Sequence, residues 1–149
     1  NHVQILRSQH DVVLTGTHTV LNDNPRLNCR LPGMENFSPV KVVVGKTPIP
    51  KTANIFDGKE CWVYKERNLK KILQDLAKKG VTRVFIEAGP KLSSAFIKAK
   101  LVDEVIVFKS PETLGKDHAT FFRKDAFKKF KKAKEQIIGS DIMLTYKRS

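Results

Sequence analysis

The run Asp11-Val12-Val13-Leu14-Thr15-Gly16 leads straight into Thr17-His18-Thr19 and then Asn22-Asp23-Asn24-Pro25, and it constrains the fold more than any other part of this sequence. A short apolar run bounded by polar turn residues predicts a strand buried on both faces. The residues after it deliver short hydroxyl and carboxylate groups to one edge of a sheet. In open α/β sheets that edge, beyond the carboxyl ends of the strands, is where ligands bind. Arg7 precedes the strand, and Arg26 and Arg30 follow the turn. Guanidinium groups on both sides suit a phosphorylated or otherwise anionic ligand.

The rest of the chain alternates strand and helix signals. Residues 3–9 read as the last turns of a helix, 40–44 as a β-branched central strand, and 61–64 as a short strand. Residues 47–58, with Pro48, Pro50 and Asn54, read as a turn-rich surface segment. Leu69, Ile72, Leu73, Leu76 and Ala77 form a helical stripe, opened by Asn68 as N-cap and closed by Gly80. Residues 83–87 predict a strictly buried strand. The tight turn Ala88-Gly89-Pro90 follows, then a helix over 91–100 with Leu92, Ala95, Phe96 and Ala99 inward. A buried strand at 104–108, a basic helix carrying Ala126, Phe130, Ala133 and Ile137, and a last strand at 142–146 complete the pattern. The class is therefore α/β with a mainly parallel sheet.

With 149 residues the chain makes one domain able to bury a core. Its 40% apolar and 29% charged residues are globular values that argue against disorder. No apolar run approaches the roughly 20 residues that span a bilayer, so no membrane partner is expected. Cys29 and Cys61 make neither a disulfide framework nor a metal-ligand spacing and read as reduced thiols of a cytoplasmic protein. Of the net charge of +13, a surplus of six comes from Lys116 to Lys134, with eight Lys or Arg against two Asp. Such a surplus is either a solvated helix face, the commoner case, or an electrostatic footprint for nucleic acid.

Two places carry candidate chemistry. Around Gly89, Pro90 suits the first helical position, and the helix start directs free N–H groups and a positive dipole end outward, with Ser93 and Ser94 adding hydroxyls. A phosphate or pyrophosphate fits there, although Gly-Pro at a helix start is more often only a cap. Glu87, ending its strand just before that turn, is placed to accept hydrogen bonds from a substrate amine or hydroxyl, or to serve as a cap or ion-pair partner. Several signatures are absent: Gly-x-Gly-x-x-Gly after a strand, a Walker-type loop, and the zinc-deaminase motif. The four scattered histidines lack metal spacing, so no metal site is expected.

Several of these residues, in order, resemble a known family. They are Leu6-Arg7-Ser8, Asp11 to Gly16, Thr19 to Leu27, Arg30, Phe85 to Leu92, Leu101 to Glu104, Ser110-Pro111, Leu114-Gly115 and Ile138 to Ile142. Together they are similar to the 5-amino-6-(5-phosphoribosylamino)uracil reductase of riboflavin biosynthesis, often fused behind a cytidine-deaminase-like domain. The resemblance implies a dihydrofolate-reductase-like fold, NADPH as hydride donor, a phosphorylated pyrimidine substrate and a homodimer. Position by position it implies that Arg7, Leu27, Arg30 and Glu87 bind substrate, with Glu87 orienting it for catalysis. Thr19 and Asp23 would contact NADPH. Gly89, Pro90, Lys91, Leu92, Ser93, Ser94 and Ala95 would form the cofactor's phosphate loop.

Ala88 stands where the family usually has glycine, and Gly45-Lys46 where it often has Asp-Ser. The family's first strand, which precedes the opening helix, has no counterpart here, so the chain is expected to be a fragment lacking that strand and any preceding deaminase domain. Two other functions remain open on the residues alone: a basic nucleic-acid-binding module on a reductase scaffold, and a dihydrofolate-reductase-like enzyme for a different heterocycle.

Overall fold

The computed structural model describes residues 2–58, 60–109 and 128–149, which divide into two compact units, Asn1–Ser93 and Ser94–Ser149. The first unit holds α1 (His2–Ser8), β1 (Val12–Gly16), α2 (Thr17–Asp23), β2 (Val40–Val44), β3 (Cys61–Tyr64), α3 (Leu69–Lys78) and β4 (Val84–Ile86). Short 3-10 turns, Glu35–Phe37 and Asn54–Phe56, interrupt its loops. Helix α4 (Pro90–Lys98) starts in this unit and ends in the second, which contributes β5 (Glu104–Lys109), β6 (Phe130–Ile138) and β7 (Asp141–Arg148).

The first unit is a four-stranded parallel sheet in the order β3-β2-β1-β4. Val12, Val13, Leu14 and Thr15 of β1 are completely buried, as expected for a strand flanked on both edges and both faces. Register places Val13 beside Lys41 and Phe85, and Lys41 beside Cys61, on one face. There the core gathers Val13, Val20, Leu27, Val43, Ala53 and Ile55, and His10, just past α1, stacks on Phe85 with ring centroids 5.1 Å apart. The other face carries Trp62 and Tyr64. Lys79 sits over the Trp62 ring at 4.5 Å, and the Tyr64 hydroxyl donates to Asp75 of α3. Helices thus cover both faces, as the α/β reading requires. Asn68 caps α3 as expected, its Oδ1 accepting from Lys71 N at 3.2 Å.

The turn-rich segment at 47–58 is not merely a surface wrap, because Ile55 is fully buried and closes the core beneath Leu27 and Val43. The hydroxyl-rich turn after β1 is helical: α2 begins directly at Thr17 and ends on Asn24, whose left-handed backbone (φ 45°) directs its N–H to Val20 O. Strand β4 is half-buried rather than strictly buried, being the sheet's edge.

The second unit is an antiparallel sheet in the order β5-β7-β6, with Phe96, Val105, Met143 and Leu144 buried. Strand β5 is buried only at Val105, and Ala95 and Ala99, expected to face inward, are exposed. The expected basic helix is overturned over its described part: residues 130–138 are strand β6, paired among the described residues with β7 alone. Its lysines are exposed along what is an edge among the described strands, where charge discourages pairing with another chain. The remainder of that basic segment, including Ala126, lies outside the described residues.

Candidate active site

Three segments of the first unit meet at one ion pair. Arg7, in the last turn of α1, donates from Nε to Glu87 Oε2 at 2.8 Å and from Nη2 to Oε1 at 3.1 Å. Its Nη1 donates to the Asn28 backbone carbonyl at 3.1 Å. The two side chains are 13% and 21% exposed, so this fork-to-fork contact is less screened than a surface pair. Glu87 reaches it because β4 continues one step past Ile86: Glu87 N–H donates to Leu14 O at 3.0 Å. Strand alternation then turns its carboxylate to the face occupied by Phe85 and α1.

The loop after α2 supplies the other side. Leu27 adopts a left-handed backbone (φ 51°), and the residue as a whole, 6% exposed, belongs to the core. Arg30 is pinned through its backbone N–H, which donates to the buried Gln4 Oε1 at 2.5 Å. Its side chain is exposed and makes no ion pair or hydrogen bond among the described residues. Arg26 instead pairs with Asp57 at 2.7 Å on the surface. Of the three arginines flagged in the sequence, Arg30 alone keeps its guanidinium open.

At the carboxyl ends of β1, β2 and β4 the backbones crowd together. Gly45 (φ 148°) follows β2, and a Cβ there would lie 2.4 Å from Thr17 Oγ1 and 2.7 Å from Thr17 Cγ2. The absence of an aspartate at this position therefore has a packing cause: only glycine lets Thr17 occupy the start of α2. Neither Ala88 nor Gly89 has a positive φ, so alanine at 88 is unstrained. A Cβ on Gly89 would meet Thr19 Oγ1 at 3.8 Å, an ordinary contact. Thr19 of α2 and the turn that opens α4 are thus neighbours.

Helix α4 begins at Pro90, as expected, and its first-turn bond runs from Ser93 N to Gly89 O at 3.1 Å. The N–H groups of Lys91 and Leu92 precede any intrahelical acceptor, and glycine before Pro90 brings no side-chain cap. The Ser93 hydroxyl donates to Ala88 O at 3.1 Å, which leaves its oxygen as an acceptor rather than a free donor. Ser94 and Ala95 fall in the second unit. Asp23 is the exposed last residue of α2.

Sequence reasoning missed Gln4 and Asn28, which fix the Leu27–Arg30 segment to α1. It also missed that Thr15 Oγ1 and Asn28 Oδ1 are buried without a hydrogen-bond partner among the described residues. No spacing signal marks a polar side chain whose role is to hold distant backbone. Among the described residues no group of His, Cys, Asp and Glu could hold a metal ion, and no helix is long and apolar enough to cross a membrane.

Comparison with known proteins bears on this geometry. The family model described as RibD C-terminal domain matches residues 1–144. The riboflavin biosynthesis protein RibD of Chlamydia muridarum is 30% identical over 148 aligned residues, covering 79% of this chain and 40% of that protein. Acinetobacter baumannii RibD superposes with a TM-score of 0.83 at 28% identity, over 99% of this chain and 49% of that one. A Thermotoga maritima deaminase/5-amino-6-(5-phosphoribosylamino)uracil reductase shares the fold, with a TM-score of 0.83 at 23% identity, over 99% of this chain and 48% of that one. The chain thus spans about half the length of these relatives or less, and the dihydrofolate-reductase-like fold expected from the motifs holds.

Proposed function

The chain belongs to the RibD C-terminal domain family, and from that premise we propose that it reduces the ribosyl group of a phosphoribosylamino-pyrimidine to ribityl in riboflavin biosynthesis. One observation carries the proposal. At the carboxyl end of β4, Glu87 pairs with Arg7, which also holds the Asn28 carbonyl of the Leu27–Arg30 segment, while Gly89, two residues on, faces Thr19. Substrate-side and cofactor-side positions therefore adjoin within one turn, as hydride transfer between two bound molecules demands.

The residues fit NADPH as the cofactor. The uncapped first turn of α4, opened at Gly89 and Pro90 and continued by Lys91, Leu92 and Ser93, suits a phosphate group, with Thr19 and Asp23 on the facing helix. Ser94 and Ala95 extend the same helix. When bound, NADPH supplies the hydride that reduces the first ribosyl carbon once the sugar ring has opened. The protein binds and orients: Arg30 takes the ribose phosphate, Leu27 lines the substrate, and the Glu87 carboxylate accepts hydrogen bonds from its hydroxyl or amino groups. A homodimer, a deaminase domain in the same polypeptide and a cytoplasmic setting belong to the same reading.

The test follows NADPH absorbance with the phosphoribosylamino-pyrimidine substrate, in wild type and Arg30→Ala. NADPH consumption that needs the substrate, with KM raised about 10- to 100-fold by Arg30→Ala, supports the proposal. Wild-type inactivity, or an unchanged KM in the variant, removes respectively the reaction or the phosphate clamp.

A further inference from the structure

The family resemblance gives Arg7 and Glu87 the same duty at the substrate, but the geometry separates them. We infer that Arg7 is a positioning residue, which acts by fixing the Glu87 carboxylate and the Leu27–Arg30 segment rather than by gripping the substrate phosphate. This rests on the reductase reading above.

Three of the five N–H donors of the Arg7 guanidinium are spent inside the protein: two on both oxygens of Glu87, at 2.8 and 3.1 Å, and one on the Asn28 carbonyl at 3.1 Å. A guanidinium neutralised by a bidentate carboxylate offers a phosphate dianion little net charge. Such a phosphate would also sit against Glu87 itself, at like charge. The partly buried setting, 13% and 21% exposed, makes that repulsion less screened than in open water.

The contacts are what a brace needs. Arg7 joins the end of α1, the loop after the left-handed Leu27 and the end of β4, which lie far apart in the sequence. Each Glu87 oxygen keeps a second acceptor site, so the carboxylate can receive a substrate N–H or O–H while its plane is held from behind. Arg30, two residues past Asn28 and with an open side chain, is left as the cation for the phosphate.

The experiment compares kcat/KM for the phosphorylated substrate with that for its dephosphorylated counterpart. Arg7→Lys keeps the charge and loses the fork. It is expected to lower kcat/KM about 10- to 100-fold on both substrates, leaving their ratio within threefold of wild type. Arg30→Ala, by contrast, should collapse the ratio. In a Glu87→Ala background, Arg7→Lys should cost at least threefold less than in wild type, because the carboxylate it fixes is gone and only the Asn28 contact remains. Should Arg7→Lys fail to fold, Glu87→Gln decides. A brace predicts an unchanged phosphate preference, whereas a phosphate ligand released from its carboxylate would raise the preference tenfold or more. Arg7→Lys collapsing the ratio as Arg30→Ala does, its loss multiplying with that of Glu87→Ala, or a raised preference in Glu87→Gln would each overturn the inference alone. A wild-type protein inactive on both substrates would overturn the reductase reading, and the inference with it.

Discussion

Adding one methyl group at each of two glycines separates packing from ligand binding at the carboxyl edge of the sheet. At Gly45 the chain runs at φ 148°, and a Cβ would stand 2.4 Å from Thr17 Oγ1 and 2.7 Å from Cγ2. Thr17 cannot swing away, since it is 7% exposed and opens α2. Strain at such a φ costs about 1–3 kcal/mol, and forcing a methyl into a filled site about 1–3 kcal/mol more. Gly45→Ala should therefore lose roughly 2–6 kcal/mol, a large part of the ~5–15 kcal/mol of an ordinary domain. In a Thr17→Ala background most of the packing part should vanish, so the two changes are non-additive. At Gly89 the φ is not positive and the nearest contact is 3.8 Å. Gly89→Ala should leave stability unchanged or raise it by about 0.4–1 kcal/mol through the unfolded chain. If the turn cradles a phosphate of NADPH against bare backbone, the same methyl should weaken NADPH at least about tenfold, or ~1.4 kcal/mol. Urea unfolding and a fluorescence titration with NADPH read the two quantities on the same samples. Wild-type NADPH affinity in Gly89→Ala would refute the cradle, and wild-type stability in Gly45→Ala would refute the packing argument.

Other perturbations test the frame of the site. The Asp11 carboxylate accepts from Thr82 N, Thr82 Oγ1 and Arg83 N at 2.8–3.0 Å, and these bonds, the Thr82 backbone bond foremost, hold its pKa below the usual carboxylate value. Its contribution is complete above that usual value, near ~4, and is lost as pH falls through the depressed folded value. Asp11→Asn should accordingly flatten the acid limb of a stability-versus-pH curve. Lys41, 1% exposed in β2, donates to Asp57 O, and burial pushes its pKa down. Wild-type stability should thus rise as pH climbs from that lowered value toward ~10.5, and Lys41→Met should abolish the rise while changing neutral stability by about 1 kcal/mol or less. Asn68→Ala removes the cap of α3 and should cost about 1 kcal/mol in chemical unfolding.

What could be read from the residues follows from where each signal is stored. The β1 strand and the α3 helix were legible because their stabilising partners are local in pattern: an unbroken apolar run in one, and a stripe with its own cap in the other. The basic segment misled for a definable reason. Phe130, Ala133 and Ile137 fit helical spacing, and the irregularity between Lys132 and Lys134 breaks the two-residue alternation that would have announced β6. Pairing with β7, a non-local contact, overrode the local pattern. Helix α2 escaped notice because seven residues containing Thr17, Thr19 and Val20 have weak intrinsic helicity. It is held by Val20 in the core and by the left-handed Asn24 at its end. The arginines make the same point for function. Arg7, Arg26 and Arg30 looked alike as anion ligands, yet Arg7 is bound to Glu87 eighty positions away, Arg26 to Asp57, and Arg30 is left open. Residue type announced an anionic ligand, but only the long-range partners decide which guanidinium can still bind one. Arg30 therefore, and not Arg7 with its carboxylate partner Glu87, is where loss of the substrate's phosphate should be felt.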